Sequence, residues 1–272
     1  MPPLFFPLYY QLLQAYHPVT SLSNPPTITV EKKLIPTVSV LGSKSTYSPP
    51  PIGGDGKIVN LALIGDSMID TLSENICQNS LQKYFPTIKF NLLKYGYGST
   101  NIESVSKRLT ETTTYLNNNN PPLLSQNPDI ILIESFAYNN FGNSQKGIDR
   151  QSQALQNIID IIQNQSPNTK IILASTIAPN SITFASGIKN IHYSALEKIE
   201  ETTTIKLYLQ NLINFATKNH LPLVDIFHPS LFGQNGLDQF IDSVDYLHPS
   251  NLGTELFCDT LGKIILDSQL IN

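Results

Sequence analysis

Two segments of this sequence combine residue types at spacings suited to nucleophilic catalysis. Ser67 follows Gly65 and Asp66 at the end of an apolar run. A serine in the turn between a strand and a helix exposes its hydroxyl, and its backbone N–H lies near the positive end of the helix dipole. Asp245 lies three residues before His248, and on one helical turn this spacing lets the carboxylate accept from the imidazole and fix its tautomer. A serine activated by such a pair could attack an acyl carbon.

Both segments also have an ordinary structural interpretation. Asp and Ser are residue types that commonly cap helices, and an acid and a histidine three residues apart also occur in solvated loops. We interpret the remaining histidines as unpaired surface or loop residues: His17, His192, His220 and His228.

Two further segments contain groups that could stabilise a developing negative charge. Gly96 and Gly98 flank Tyr97, and glycine allows a backbone N–H to approach a ligand closely. Asn139 lies beyond the next apolar run, and an Asn amide can donate to an oxyanion. A plain turn and an amide that satisfies loop backbone are the alternatives, since Asn is abundant here and fills positions 117–120.

The elements that must position these groups alternate along the chain from Lys57 onward. Short apolar runs and longer helical segments follow each other as expected for parallel strands joined by crossover helices. The predicted strands are 58–64, 88–93, 130–133, 170–174 and 223–224. The predicted helices are 69–84, 102–116, 148–163, 192–219 and 251–270.

This order predicts an α/β fold, a three-layer α/β/α sandwich around a five-stranded parallel sheet. Right-handed crossovers put helices on both faces, and the ligand site of such a sheet lies at the carboxyl ends of its strands. All four segments with candidate catalytic groups follow a predicted strand or precede the last helix. We therefore expect them to meet at one edge of the sheet.

The first 56 residues have a different composition. They hold ten of the 19 prolines and are rich in Ser and Thr, which favours extended chain over a packed core. We interpret residues 1–56 as a tail and linker and 57–272 as the folded domain. Residues 34–41 are an alternative edge strand.

The beginning of the chain is apolar but does not predict a membrane span. Pro7 interrupts the run, which is shorter than the roughly 18 residues that a spanning helix needs. The first cation is Lys32, so the basic start of a secretory signal is missing. A degenerate signal, the remnant of an anchor and a plain tail remain open. The proline-rich linker behind an apolar start favours a secreted or cell-envelope-facing protein.

Composition excludes several classes of function. The chain of 272 residues has a net charge of −4 and no dense basic cluster, which argues against nucleic acid as a partner. Cys77 and Cys258 fit neither a zinc site nor a disulfide-dense scaffold, and a single disulfide between them stays open. The glycines at 53–56 precede the first strand rather than follow it, so no dinucleotide cofactor is predicted.

Taken together, the order Ser, Gly, Asn, then Asp and His resembles the SGNH or GDSL hydrolase family. The resemblance covers residues 58 to about 268. It implies that Ser67 is the nucleophile, His248 the general base and Asp245 its orienting carboxylate. It also implies an oxyanion hole made of the N–H groups of Ser67 and Gly98 and the amide of Asn139, with Gly96 as an alternative to Gly98.

Four blocks carry the resemblance: Gly65-Asp66-Ser67, Gly96-Tyr97-Gly98, Ala137-Tyr138-Asn139-Asn140 and Asp245-Tyr246-Leu247-His248. The third block departs from the family pattern. Ala137 stands where the family has Gly, and Asn140 stands where it has Asp, so the assignment of Asn139 depends on the register of this block.

The resemblance implies a flavodoxin-like fold and a serine esterase that forms an acyl-enzyme, without a metal or a cofactor. Its substrate would be a small-molecule or glycan ester, for example an acetylated carbohydrate or a lipid ester. An O-acyltransferase acting on an envelope polysaccharide and a catalytically silent binding domain of the same fold are the alternatives.

Overall fold

The structure is a computed structural model that describes residues 56–271. The predicted tail and linker, apart from Gly56, and the alternative edge strand at 34–41 lie outside the described residues.

Five parallel strands form the central sheet, and they begin and end within a few residues of the predicted positions. They are β1 (Ile58–Gly65), β2 (Lys89–Gly96), β5 (Ile130–Glu134), β6 (Lys170–Ala174) and β7 (Leu223–Val224). The spatial order is β2-β1-β5-β6-β7, which is the flavodoxin-like order. The direction of the strand order reverses at β1, so a crevice is expected between the carboxyl ends of β1 and β5.

Six α-helices lie in the described part of the chain. They are α1 (Ser67–Asp70), α2 (Glu74–Tyr84), α3 (Val105–Thr110), α4 (Gln145–Gln165), α5 (Ala195–Lys218) and α6 (Asn251–Asp267). Three of them begin at a serine whose side chain accepts a backbone N–H, namely α4 at Ser144, α5 at Ser194 and α6 at Ser250. Such caps satisfy N–H groups that the helix itself leaves free.

Alternate residues of each central strand enter different apolar cores. Leu61 and Leu63 pack with α2 and α6, whereas Ala62 and Ile64 pack on the opposite face with α3, α4 and α5. Because successive side chains of a strand point to opposite faces, continuous apolar runs are needed for a sheet that is covered on both sides. The predicted three-layer α/β/α sandwich is confirmed.

The helix predicted over 102–116 is wrong in its second half. A 3-10 turn (Ile102–Ser104) leads into α3, which ends at Thr110, and a two-stranded hairpin follows with β3 (Thr113–Tyr115) and β4 (Asn118–Asn120). Its two connecting residues, Leu116 and Asn117, both have positive φ, as in the tight turns that match the twist of paired strands. The helix predicted over 69–84 is likewise divided into α1 and α2.

A disulfide joins α2 to α6. Cys77 and Cys258 are bonded across a sequence separation of 181 residues, with their Cα atoms 4.9 Å apart, and both lie buried in the core on that face of the sheet. The pairing that the sequence left open is therefore present in the structure.

A second small hairpin follows the fifth sheet strand and comprises β8 (Leu231–Phe232) and β9 (Asn235–Gly236). Among the helices of residues 56–271, none is both long and apolar enough to cross a bilayer.

Candidate active site

Ser67 is the first residue of α1, directly beyond the carboxyl end of β1. Asp66 caps this helix, and its Oδ1 accepts the N–H of Met68 over 2.8 Å. The hydroxyl of Thr71 in turn donates to the carbonyl of Ser67 over 2.8 Å. The turn is thus closed by local hydrogen bonds on both sides of a half-buried serine.

Asp245 and His248 form a hydrogen-bonded pair. Their Oδ2 and Nδ1 atoms lie 2.7 Å apart, while Oδ1 of Asp245 accepts the backbone N–H groups of Leu247 and His248. The expectation that a helical turn brings them together is wrong, because Tyr246 has a φ of +57° and the segment is a loop. The carboxylate of Asp245 stabilises this loop because it accepts the backbone N–H groups two and three residues ahead.

The pairing fixes the chemistry of the imidazole. When Nδ1 donates to the carboxylate, the lone pair resides on Nε2. Nε2 is buried and has no hydrogen-bond partner in residues 56–271. Burial acts to raise the pKa of Asp245, but the hydrogen bonds from His248 and Leu247 outweigh it and hold that pKa below the ordinary value. The carboxylate is therefore ionised near neutral pH.

Asp66 connects the serine turn with the other two parts of the site. Its Oδ2 accepts from the side-chain amide of Asn139 over 2.8 Å. Complete burial raises the pKa of Asp66, and the N–H of Met68, the amide of Asn139 and the proximity of His248 act in the opposite direction. The fold thus brings the strand ends of β1 and β5 together with the His248 loop.

The third block has two adjacent asparagines that point in different directions. The amide of Asn139 reaches Asp66, whereas the amide of Asn140 donates to the carbonyl of Ala137 within its own loop. Oδ1 of Asn140 accepts the N–H of Gly142. In spite of the two departures from the family pattern, Asn139 is the one that contacts the serine turn.

The two glycines of the second block serve different purposes. Gly96 lies inside β2, where a Cβ would overlap the backbone nitrogen of Asp70, so its small size permits close approach of α1. Gly98 lies beyond the strand, and a Cβ built on it would be 3.6 Å from Cβ of Ser67. Gly98 therefore borders the serine, and its N–H donates to the hydroxyl of Tyr115.

Two buried ionisable residues, Arg108 and Glu134, contact this edge of the sheet. Arg108 donates to the carbonyls of Gly65 and Tyr95, and burial lowers its pKa to about 10, which leaves it charged at neutral pH. Glu134 accepts from the hydroxyl of Ser135 over 2.6 Å. Burial and the proximity of Asp66 raise the pKa of Glu134 well above its ordinary value.

A second acid–histidine pair corrects our interpretation of His228. Oδ2 of Asp225 and Nδ1 of His228 lie 2.6 Å apart, at the same three-residue spacing and again before a proline. Oδ1 of Asp225 also accepts from the hydroxyl of Ser175. The His228 side chain is 51% exposed, whereas that of His248 is 16% exposed. The two pairs therefore have the same spacing in the sequence and differ in burial.

Sequence reasoning also missed Tyr115, Asp70, Arg108 and Glu134, which contact the segments described above. For Tyr115 a signal was present, because the asparagines at 117–120 are typical of turns with positive φ. No group of three or more His, Cys, Asp or Glu side chains within 56–271 is arranged to hold a metal ion.

The sequence and the fold both match known proteins. Residues 63–256 match the GDSL-like Lipase/Acylhydrolase family. The acetyl xylan esterase AlAXEase is similar in structure, with a TM-score of 0.52 and 18% identity over 76% of this chain and 100% of that chain. A lipase/acylhydrolase from Enterococcus faecalis gives a TM-score of 0.53 and 17% identity over 77% of this chain and 96% of that chain.

A third similar structure is a catalytic mutant of Axe2, an acetylxylan esterase from Geobacillus stearothermophilus. It has a TM-score of 0.51 and 14% identity over 77% of this chain and 95% of that chain. No curated protein matches this chain.

The chain belongs to the GDSL-like lipase/acylhydrolase family. It is an ester hydrolase of the GDSL type, a class in which a serine nucleophile and an oxyanion hole are typical.

Proposed function

We propose that this enzyme hydrolyses an acyl ester of a carbohydrate, with Ser67 as the nucleophile, His248 as the general base and Asp245 as its orienting carboxylate. The observation that carries the proposal is the hydrogen bond between Nδ1 of His248 and Asp245, which places the lone pair on Nε2. Nε2 is buried and has no hydrogen-bond partner among the described residues.

The reaction proceeds in two acyl transfers. Oγ of Ser67 attacks the ester carbonyl carbon while its proton passes to Nε2 of His248. The tetrahedral intermediate then collapses, the bond to the alcohol oxygen breaks, and the alcohol leaves with that proton. Water attacks the acyl-serine by the same route and releases the acid.

The negative charge of each intermediate is stabilised by hydrogen-bond donors held beside the reacting carbon. The N–H groups of Ser67 and Gly98 and the amide of Asn139 are the proposed donors. Gly98 borders Ser67, and the amide of Asn139 lies beside the serine turn through its bond to Asp66.

A cavity of about 550 Å³ next to His248 supports the choice of alcohol. Polar residues that line it include Asp238, Gln239, Asp242, Ser243 and Asn251. Such groups can bind the hydroxyls of a sugar, whereas a lipid chain would favour an apolar lining. Two of the similar structures carry names of acetylxylan esterases.

Labelling and hydrolysis test the assignment together. The wild-type protein should react with a fluorophosphonate probe at Ser67 and hydrolyse p-nitrophenyl acetate, and Ser67→Ala should lose both while keeping its circular dichroism spectrum. Ser73→Ala is the matched control, because Ser73 precedes α2 without a side-chain capping bond, and it should keep both. Turnover by Ser67→Ala at the wild-type rate would refute the assignment.

Substrate comparison tests the alcohol and acyl groups. Acetylated xylo-oligosaccharide should be deacetylated faster than a long-chain glycerol ester at equal ester concentration. Preference for the long chain would instead favour a lipid ester. Transfer of acetyl to added oligosaccharide would indicate the acyltransferase, and no labelling of Ser67 would indicate the silent binding domain.

A further inference from the structure

The hydroxyl of Tyr115 accepts the hydrogen bond of the Gly98 N–H group. The Gly98 nitrogen donates to Oη of Tyr115 over 2.9 Å, and Oη in turn donates to Oδ2 of Asp70 over 2.7 Å. A backbone N–H has one proton and a phenol has one proton. Both are therefore committed in this arrangement, and the Gly98 proton points at Tyr115.

Stacking positions Tyr115 next to Gly98. Tyr115 ends β3 of the hairpin, and its ring stacks on Tyr97 with centroids 4.6 Å apart and planes within 8°. The guanidinium of Arg108 lies 4.3 Å from the centroid of the Tyr97 ring. Tyr97 also shares a hydrogen bond of 2.9 Å with the hydroxyl of Thr113, in the same strand as Tyr115.

The phenol lies beside the serine. The point at which a Cβ on Gly98 would sit is 3.1 Å from Oη of Tyr115 and 3.6 Å from Cβ of Ser67. Burial and the hydrogen bond to Asp70 raise the pKa of Tyr115, so the phenol stays neutral. The bond from Gly98 to Tyr115 is thus one between two neutral groups.

We propose that the bond to Tyr115 keeps the Gly98 N–H from donating to the neutral carbonyl of the bound ester. The charged oxyanion of the transition state replaces Tyr115 as the acceptor of this N–H. This inference rests on the proposed function, and it makes Tyr115 a positioning residue that acts on the reaction through Gly98.

The argument follows from the relative strengths of hydrogen bonds. A phenol oxygen alone is a weaker acceptor than a carbonyl oxygen, but its own donation to the carboxylate of Asp70 polarises it and strengthens the bond from Gly98. A charged oxygen forms a bond about twice as strong as a neutral one, so it displaces Oη. Interactions that are gained only in the transition state increase turnover rather than substrate affinity.

Removal of the phenol hydroxyl should therefore strengthen substrate binding. In Tyr115→Phe the ring still stacks on Tyr97, but Gly98 is free to donate to the substrate carbonyl. We expect KM for p-nitrophenyl acetate to fall about fivefold, the equivalent of about 1 kcal/mol for one neutral hydrogen bond. We expect kcat to fall by a similar factor, so that kcat/KM stays within about twofold, because only the bound ester gains a donor that the transition state has in both proteins.

Two other variants accompany this test. Asp70→Asn keeps an acceptor for the phenol but removes its charge, so KM should fall by a smaller factor. Thr113→Val removes a hydroxyl bond from the same strand without touching Gly98, so it should leave both constants unchanged. Burst kinetics separate acylation from binding in every variant.

The outcomes are distinct. If Tyr115→Phe lowers kcat by about two orders of magnitude and leaves KM unchanged, Tyr115 itself donates to the oxyanion, and the inference is overturned. Unchanged constants, or the same change in Thr113→Val, would also overturn it. If Tyr115→Phe does not fold, Asp70→Asn provides the test, and an unchanged KM in that variant would overturn the inference. Loss of turnover in Ser67→Ala tests the proposed function separately from all of these.

Discussion

The side-chain amide of Asn139 donates to Oδ2 of Asp66 over 2.8 Å, across a sequence separation of 73 residues. This bond joins the carboxyl ends of β1 and β5, which flank the expected crevice of the sheet. An Asn side chain has two N–H groups, and the bond to Asp66 uses one of them. The second is the one that the proposed oxyanion hole would use.

We predict that Asn139→Ala reduces turnover about 10²- to 10³-fold with little change in KM, because a bond to the oxyanion strengthens as charge develops. Steady-state kinetics on a small aryl ester provide the measurement. Asn140→Ala is the matched neighbour and should keep its turnover within a few-fold of the wild type, since its amide contacts only its own loop. The opposite pattern would mean that the degenerate third block is misaligned by one residue.

The two acid–histidine pairs give a second prediction. His248→Ala should lose activity at every pH tested, and Asp245→Asn should reduce the rate by up to about 10⁴-fold, because Nδ1 would no longer be held in the correct tautomer. His228→Ala should keep the wild-type rate, because its imidazole is half exposed and paired at the far edge of the sheet. An essential His228 with a dispensable His248 would reverse the assignment of the base.

The strands were predictable because a strand that is buried on both faces of the sheet is a continuous apolar run in the sequence. The strand Lys170–Ala174 was predicted with its correct bounds, since a run such as Ile171-Ile172-Leu173 supplies apolar side chains to both faces. The hairpin at 113–120 was not predictable from periodicity. Its position depends on the stacking of Tyr115 on Tyr97, a tertiary contact that outweighs the helical pattern of the preceding residues.

The site was predictable only in its local parts. The pair of Asp245 and His248 follows from a spacing of three residues, but the same spacing at Asp225 and His228 was missed, and only burial separates the two pairs. Contacts between distant residues, such as Tyr115 with Asp70, have no signature in the sequence. They depend on the order of the strands and the path of the loops.

The disulfide gives a third prediction. Replacing both cysteines with alanine should reduce the free energy of unfolding by about 2–5 kcal/mol, since the bond closes a long loop in the unfolded chain. Urea unfolding with and without reductant measures this, and reductant should have no effect on the double variant. Complete alkylation of Cys77 and Cys258 in denatured, unreduced protein would contradict the pairing.

The last prediction concerns Glu134, a carboxyl that is fully buried beside Asp66. Burial raises its pKa in the folded protein well above the ordinary value of 4.5, and the charge of Asp66 adds to the effect. In the pH range between the unfolded and the folded pKa, the folded state holds a proton that the unfolded state has lost. The contribution of Glu134 to stability is therefore greatest below about pH 4.5 and falls as pH rises towards the folded pKa, by at most about 1.4 kcal/mol per pH unit.

Glu134→Gln removes this proton linkage. Its amide oxygen can accept one of the two groups that donate to Glu134, the hydroxyl of Ser135 and the N–H of Asp66, and the loss of the other bond is the same at every pH. The variant should gain stability relative to the wild type as pH rises from 4.5 towards 9, and urea unfolding at several pH values measures the difference. Glu103→Gln is the control, because Glu103 forms an exposed ion pair with Arg150 and should show no such trend above pH 4.5. Parallel curves of unfolding free energy against pH for Glu134→Gln and the wild type would contradict this prediction. They would show that the pKa of Glu134 is the same in the folded and the unfolded protein.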